Sequence, residues 1–437
     1  MNDDRLTKLL AVVGVVLVLG VVGFIFRSPA NTSGQKVTLT VWGTVPELTL
    51  REAFIKYKEL AAENTLVEYV YKDPTTLSRD LIQALAAGTG PDIWMTDELR
   101  IQNERNFIAS PANDIMSVRT FTSSYIDAAT QAYVLKNNED KEVVSAIPVW
   151  ADPLVLYWNK TLFNRRAIAT PPKNWTELQK NAQSLTEIRS GDAISVSGIA
   201  MGRAKNIPEY RDILTLLLAQ YGAALYGNNG EVEFGKQRVT NSGTVDPTYG
   251  AFRYYTDFGN SGLSSYSWNT QFAMPMAEFQ QGRLAMMVAP ASSVESLRQK
   301  NPHLIFDIAA VPQLEGSTRA ITASHIPALV VNKASTKQSE SWKMLAWLAS
   351  PVGQPYVLKE RSVAPINRAL IGTYNHPEFG SLLSASALQS VHLVDNNPDL
   401  SSQVMYDAVE SITDRRATIS EAVRIGTQRL IEGLRVQ

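Results

Sequence analysis

From Val37 onward the hydrophobic pattern switches repeatedly between two periods, and that switching restricts the fold more than any other feature. Val37-Thr-Leu-Thr-Val-Trp42 alternates apolar and polar residues, as a half-buried strand does. Pro46 opens a helical stretch with Leu50, Phe54, Tyr57 and Ala61 on one stripe. Leu66 to Tyr71 reads as a second strand. Leu77, Leu81, Ile82 and Leu85 mark the face of a second helix that Gly88 stops, and Pro91 to Met95 supplies a third strand. Strands alternating with helices form βαβ units around a parallel sheet. Ligands of such sheets bind beyond the carboxyl ends of the strands, here Trp42-Gly43-Thr44 and Thr96-Asp97-Glu98.

Farther along, Val155 to Trp158 is a strand with Tyr157 and Trp158 inside it, and Asn174 or Thr176 caps a helix running through Leu185. Ile213 to Leu225 reads as a buried helix, too short and too polar to cross a membrane. Gly227 to Tyr249, rich in Gly, Asn and Thr, reads as an exposed hairpin or loop. The segment from Ser420 is an amphipathic helix with Val423, Leu430 and Leu434 on one side.

The N-terminus has a different character. Leu9 to Phe26 is eighteen residues without a charge, about the shortest length that spans a bilayer. Ser28-Pro29-Ala30 would serve as a cleavage site, but the apolar core of a signal peptide usually runs only about 7–15 residues. An uncleaved anchor is therefore expected: a cytoplasmic tip at 1–8, a single-pass span at 9–26 and a linker at 27–36, with the body outside the cytoplasm. The 41 basic and 42 acidic residues leave a formal net charge of -1, so nothing favours nucleic acid as a partner. With no cysteine, disulfides, thiol catalysis and thiolate metal sites are excluded. The four histidines (His303, His325, His376, His392) fall in no metal-ligand spacing, so neither metal nor cofactor is expected.

Five stretches, in order, resemble the extracellular solute-binding proteins typified by maltose-binding protein. They are Leu39 to Gly43, Ala86 to Ile93, Ile147 to Lys160 with its Tyr-Trp-Asn-Lys ending, Pro171 to Leu178, and Glu278 to Met287. The resemblance implies a two-lobed α/β periplasmic-binding-protein-like fold, each lobe a mainly parallel sheet flanked by helices, with hinge crossovers between them. It places lobe 1 at 37–149 plus 291–336 and lobe 2 at 150–290 plus 337–437, with hinges near Val149–Asp152 and Val288–Ala291. It also implies an ABC permease as partner, a carbohydrate as ligand and no chemistry on it, in a monomer. Two departures stand out. Ala289, Pro290 and Ala291 replace the Gly-Pro-Trp whose ring stacks on sugar in many members, and the family's lipid-anchoring cysteine is missing.

A sugar offers hydroxyls to carboxylates and amides, and C–H faces to aromatic rings. Asp152 aligns with an acidic ligand contact of the family, or else is a hinge carboxylate bonded to nearby backbone. Trp150 lies on the same face of an extended segment and is either a ligand contact or lobe packing. Asp97 and Glu98 face the expected cleft, or are ordinary loop acids. Trp42 is equally a core residue; Trp268 sits in a loop suited to binding, or packs as a lid; Ser292 would donate a hydrogen bond near the missing ring. His325 and Arg361 lie near later crossovers, where surface or supporting roles are expected. Two other readings share these residues. A tethered receptor would bind a ligand for sensing, and a glycoside-active enzyme would pair two of the acids at roughly 5 to 10 Å. No Gly-x-Ser-x-Gly elbow or phosphate loop accompanies them.

Overall fold

The computed structural model describes residues 36–435 apart from 138, 190–192, 228, 241–242 and 375. The expected tip and anchor, and the linker up to residue 35, lie outside the described residues. Among the described residues no helix is long and apolar enough to cross a membrane.

The βα alternation forms as the periodicity predicts: β1 (Val37–Gly43), α1 (Leu48–Leu60), β2 (Thr65–Tyr71), α2 (Leu77–Ala86) and β3 (Ile93–Thr96). Leu50, Phe54 and Tyr57 are buried on α1, and Leu77 and Leu81 on α2, whereas Ile82 is 57% exposed. A hairpin of β4 (Val134–Lys136) and β5 (Glu142–Val144) precedes β6 (Ile147–Pro148) and β7 (Asp152–Asn159). Next come α3 (Trp175–Leu185), which the Asn174 side chain caps, β8 (Glu187–Ile188), β9 (Ile194–Ile199) and α4 (Tyr210–Tyr221), which ends at left-handed Gly222. The exposed hairpin is β10 (Arg238–Thr240) with β11 (Gly243–Val245). The remaining strands are β12 (Leu284–Pro290), β13 (Phe306–Ala310), β14 (Ser324–His325) and β15 (Ala328–Val331), followed by α5 (Gln338–Leu348), α6 (Gln354–Leu358), α7 (Gly380–Gln389), α8 (Pro398–Thr413) and α9 (Ile419–Leu434).

One sheet runs β2-β1-β3-β15-β6; the other runs β13-β7-β12-β9-β8, with β14 also on β7. Only β1–β2 and β1–β3 in the first sheet, and β9–β12 in the second, are parallel. The expectation of a mainly parallel sheet in each lobe is thus corrected, most clearly for the second. A strand produced by a βα unit ends at the cleft, but β7 and β15 arrive from the other lobe, start at the cleft and run away from it. They must lie antiparallel to their neighbours β12 and β3.

The sheets also divide the chain differently from the expected boundaries. Strand β13, inside the 291–336 segment assigned to lobe 1, pairs with β7 in the second sheet. Helices α5 and α6, assigned to lobe 2, pack on α1 of the first lobe, where Trp347 meets Tyr57 at 5.5 Å between ring centroids. Helix α7 packs on β7 and β13, and α8 and α9 pack together over the second lobe. The chain therefore crosses at 149–151, at Ile326–Pro327 between β14 and β15, and again beyond Leu358, where Ala364 and Ala151 exchange backbone hydrogen bonds of 2.7 and 3.0 Å. The hinge expected at Val288–Ala291 is the end of β12 within the second lobe, held to β7 by the Ala291 N–H to Pro153 carbonyl bond.

Candidate functional site

Three elements bring charge to the space between the sheets. Glu98 follows the carboxyl end of β3, His325 closes β14 at the second crossover, and Asp212 sits in the first turn of α4. The His325 Nδ1 lies 3.1 Å from Glu98 Oε1 and its Nε2 lies 3.2 Å from Asp212 Oδ2, so the imidazolium donates to one carboxylate from each lobe. The second Glu98 oxygen accepts the Ile326 N–H at 3.0 Å, and the Tyr133 hydroxyl donates to the Ile326 carbonyl. Burial disfavours ionised Glu98, but the hydrogen bond and charge of His325 and the Ile326 N–H outweigh it and hold the carboxyl at about 2. The Asp212 charge, working against burial and aided by both hydrogen bonds, holds His325 well above 6.5. Glu98 and His325 are thus ionised together at neutral pH, and the bridge ties both lobes to the crossover.

Beside the bridge lies a narrow recess of about 40 Å³, well below the roughly 300–1,000 Å³ common for small-molecule sites, so a ligand must widen it by parting the lobes. Glu98 and Leu99 close it from the first lobe, and Arg211, Asp212 and Thr215 of α4 from the second. Ala323 to His325 line it from the crossover side, with Val391 to Leu393 opposite. Arg211 Nη2 bonds Asp395 Oδ2 at 2.7 Å, while Arg211 Nε and Thr215 Oγ1 are buried without a hydrogen-bond partner. Burial lowers the pKa of His392, against the charges of Glu98 and Asp395, so its ring is neutral. Among the described residues no cluster of three or more His, Cys, Asp or Glu is arranged to hold a metal ion.

Of the residues singled out from sequence, Glu98 and His325 line this recess and the others do not. Asp152 is buried with its carboxylate turned to Ser292, accepting from the backbone N–H at 3.0 Å and from Oγ at 2.5 Å. Burial raises its pKa and the Ser292 bonds oppose that rise. Ser292 thus joins the end of β12 to the start of β7. Trp150 is buried beneath the Arg361 guanidinium, 3.8 Å from the ring centroid, so those two residues stack one crossover on another. Asp97 accepts from the Leu99 and Arg100 N–H groups and pairs with Arg100 Nε at 2.8 Å, which holds it at the start of a helical turn. Lys72 covers the Trp42 ring at 3.8 Å. Trp268 is a correction to the loop reading: it is fully buried, stacks on Phe272 at 4.5 Å and donates to Asn206.

Sequence reading missed Arg211, Asp212, Thr215 and His392. A signal existed for the first three. A charged pair precedes the apolar run of α4, and Arg211 and Thr215 share a face at i,i+4 spacing. His392 stands between Val391 and Leu393 with no motif around it.

Comparison with known proteins agrees with this geometry. A binding protein of Brucella abortus is 22% identical over 300 residues, covering 67% of this chain and 66% of its own length, just under two thirds. An ABC substrate-binding protein from Listeria monocytogenes in complex with cycloalternan superposes with a TM-score of 0.71 at 15% identity, covering 92% of this chain and 99% of that one. A solute-binding protein from Thermotoga lettingae bound with α-D-tagatose gives 0.69 at 18% identity, over 91% and 99%. A cyclic α-maltosyl-1,6-maltose binding protein from Arthrobacter globiformis gives 0.71 at 18%, over 92% and 100%. At these identities the likeness shows the two-lobed α/β fold. The sequence profile of the bacterial extracellular solute-binding proteins matches residues 46–355, and this chain belongs to that family.

Proposed function

We propose that this protein captures a carbohydrate between its lobes and delivers it to an ABC permease, leaving the ligand chemically unchanged. The observation that carries this reading is the interlobe recess, where hydrogen-bonding groups from each lobe converge beside a crossover. The similar proteins bound to cycloalternan and to tagatose support the ligand class, and the ABC substrate-binding protein supports the partner. Capture without chemistry is favoured by the carboxylates. Glu98 and Asp212 both bond the His325 ring, and Glu98 is held ionised, unlike the protonated acid that glycoside cleavage needs.

The anchor at residues 9–26 would tether a monomeric body at the outer face of the cell membrane. N-terminal sequencing of the native protein tests this, since a mature start near Asn31 would remove the tether. Ligand capture is tested by thermal shift across a saccharide panel, because a ligand that binds only the folded protein raises the melting temperature by mass action. Solution scattering completes the test. Lobe closure about the crossovers lowers the radius of gyration at saturation, and an unchanged radius argues against a hinge.

A further inference from the structure

We infer that the ligand is a neutral, single-ring sugar or polyol held by Arg211, Asp212, Thr215 and His392, an inference that rests on the carbohydrate reading above. The first support is what does not line the recess. None of the eight tryptophans does, and the apolar patches come from Leu99, Leu154, Leu225, Val391 and Leu393. Oligosaccharides present a succession of C–H faces that aromatic platforms cover. Here Trp42 lies under Lys72, Trp150 under Arg361, and Trp268 against Phe272. The Glu98–His325–Asp212 bridge also links lobe to lobe at the side of the recess, where a longer chain would need room.

Charge selects further. Arg211 already has Asp395 and His325 already has two carboxylates, so an incoming anion finds no cation without a partner. Three acids (Glu98, Asp212 and Asp395) face two cations, and His392 is kept neutral by burial. An acidic sugar or a sugar phosphate would add negative charge to a surplus of it. The groups with open capacity match hydroxyls instead. Arg211 Nε donates, the Thr215 hydroxyl donates or accepts, and neutral His392 offers one N–H and one lone pair. The Asp212 Oδ1 atom, with Oδ2 committed to His325, accepts. Buried polar groups without partners are uncommon, and two of them belong to residues of one helix, α4, that line this recess.

Calorimetric titration of the full chain tests this with neutral monosaccharides and polyols, glucuronate, glucose 6-phosphate and maltotetraose. At least one neutral single-ring compound should bind at least tenfold more tightly than maltotetraose or either anion. Thr215→Val and His392→Phe should each weaken that binding about three- to tenfold, the range for one neutral hydrogen bond, with the unfolding temperature preserved. Tighter binding of maltotetraose or an anion overturns the inference while leaving carbohydrate capture standing. Unchanged affinity in both variants overturns the assigned residues. No binding by any saccharide overturns the carbohydrate reading, and this inference with it.

Discussion

Replacing His325 with Gln removes a cation that the two lobes share. Glu98 is only 8% exposed on its side chain, so the variant leaves an ionised carboxylate with the Ile326 N–H and no counter-charge. Removing one partner of a buried ion pair costs about 3–5 kcal/mol, and the 35% exposure of His325 lets solvent screen part of that, so about 2–3 kcal/mol is expected. The dependence on pH has a definite sign. His325 has a raised pKa, so its contribution is complete below 6.5 and is lost as pH rises through the folded value. Glu98 has a lowered pKa, so its contribution is complete above 4.5 and is lost as pH falls toward about 2. Asp152 works in the opposite sense, since burial raises its pKa and makes ionisation above 3.8 costly; the His325 charge eases that cost, so its removal adds to the loss in the variant. The gap between them should be widest between 4.5 and 6.5. Urea unfolding followed by tryptophan fluorescence measures it, and a double-mutant cycle with Glu98→Gln isolates the pair. A loss below about 1 kcal/mol, or one that stays constant from about pH 5.5 to about pH 10, would refute the bridge.

Three further outcomes are expected. Asp152→Ala should cost about 1–3 kcal/mol of stability by stranding the Ser292 N–H, with affinity unchanged; weaker binding at an unchanged melting temperature would return Asp152 to the ligand. Trp268→Ala should lower stability by about 3–5 kcal/mol through the cavity left beside Phe272, and a neutral result in chemical denaturation would contradict its burial. Gly202→Ala should cost more than about 1 kcal/mol, because φ is +98° and the new Cβ would lie 2.2 Å from the Gly259 nitrogen; an unchanged melting temperature would show that the backbone yields there.

Local elements were legible wherever the determinant was itself local. Asn174 caps α3 and the stripe of α1 points inward because both effects act within a turn or two of the residues that cause them. The crossovers were harder to locate. The end of β12 has the apolar residues and proline of a hinge, yet both its neighbours, β7 and β9, belong to the same sheet. The crossing at Ile326–Pro327 is only two residues long, and its apolar residue and proline are no different from those at the end of β12; β14 and β15 show it only through their distant partners. The site follows the same logic. Glu98 was found because strand ends point to clefts, whereas Trp268 turned inward where its segment packs on Phe272 and Asn206. Arg211 and His392 meet only after α4 and the segment following α7 are packed across the second sheet.

The route of the chain through its two sheets also dictates an order of assembly. In the first sheet Met95 pairs with Leu329, and every strand of the second sheet lies between them in sequence. All four residues of β3 are buried in the finished protein, so a chain that has emerged only as far as β14 carries an apolar strand with one edge open. Unpaired edges of that kind template association with other chains. Closing such a long loop adds little to the equilibrium cost but slows the search for the partner strand. Refolding from denaturant should therefore be slow and should lose yield as concentration rises, and a chain truncated before Ala328 should aggregate through β3 rather than settle as a stable first lobe.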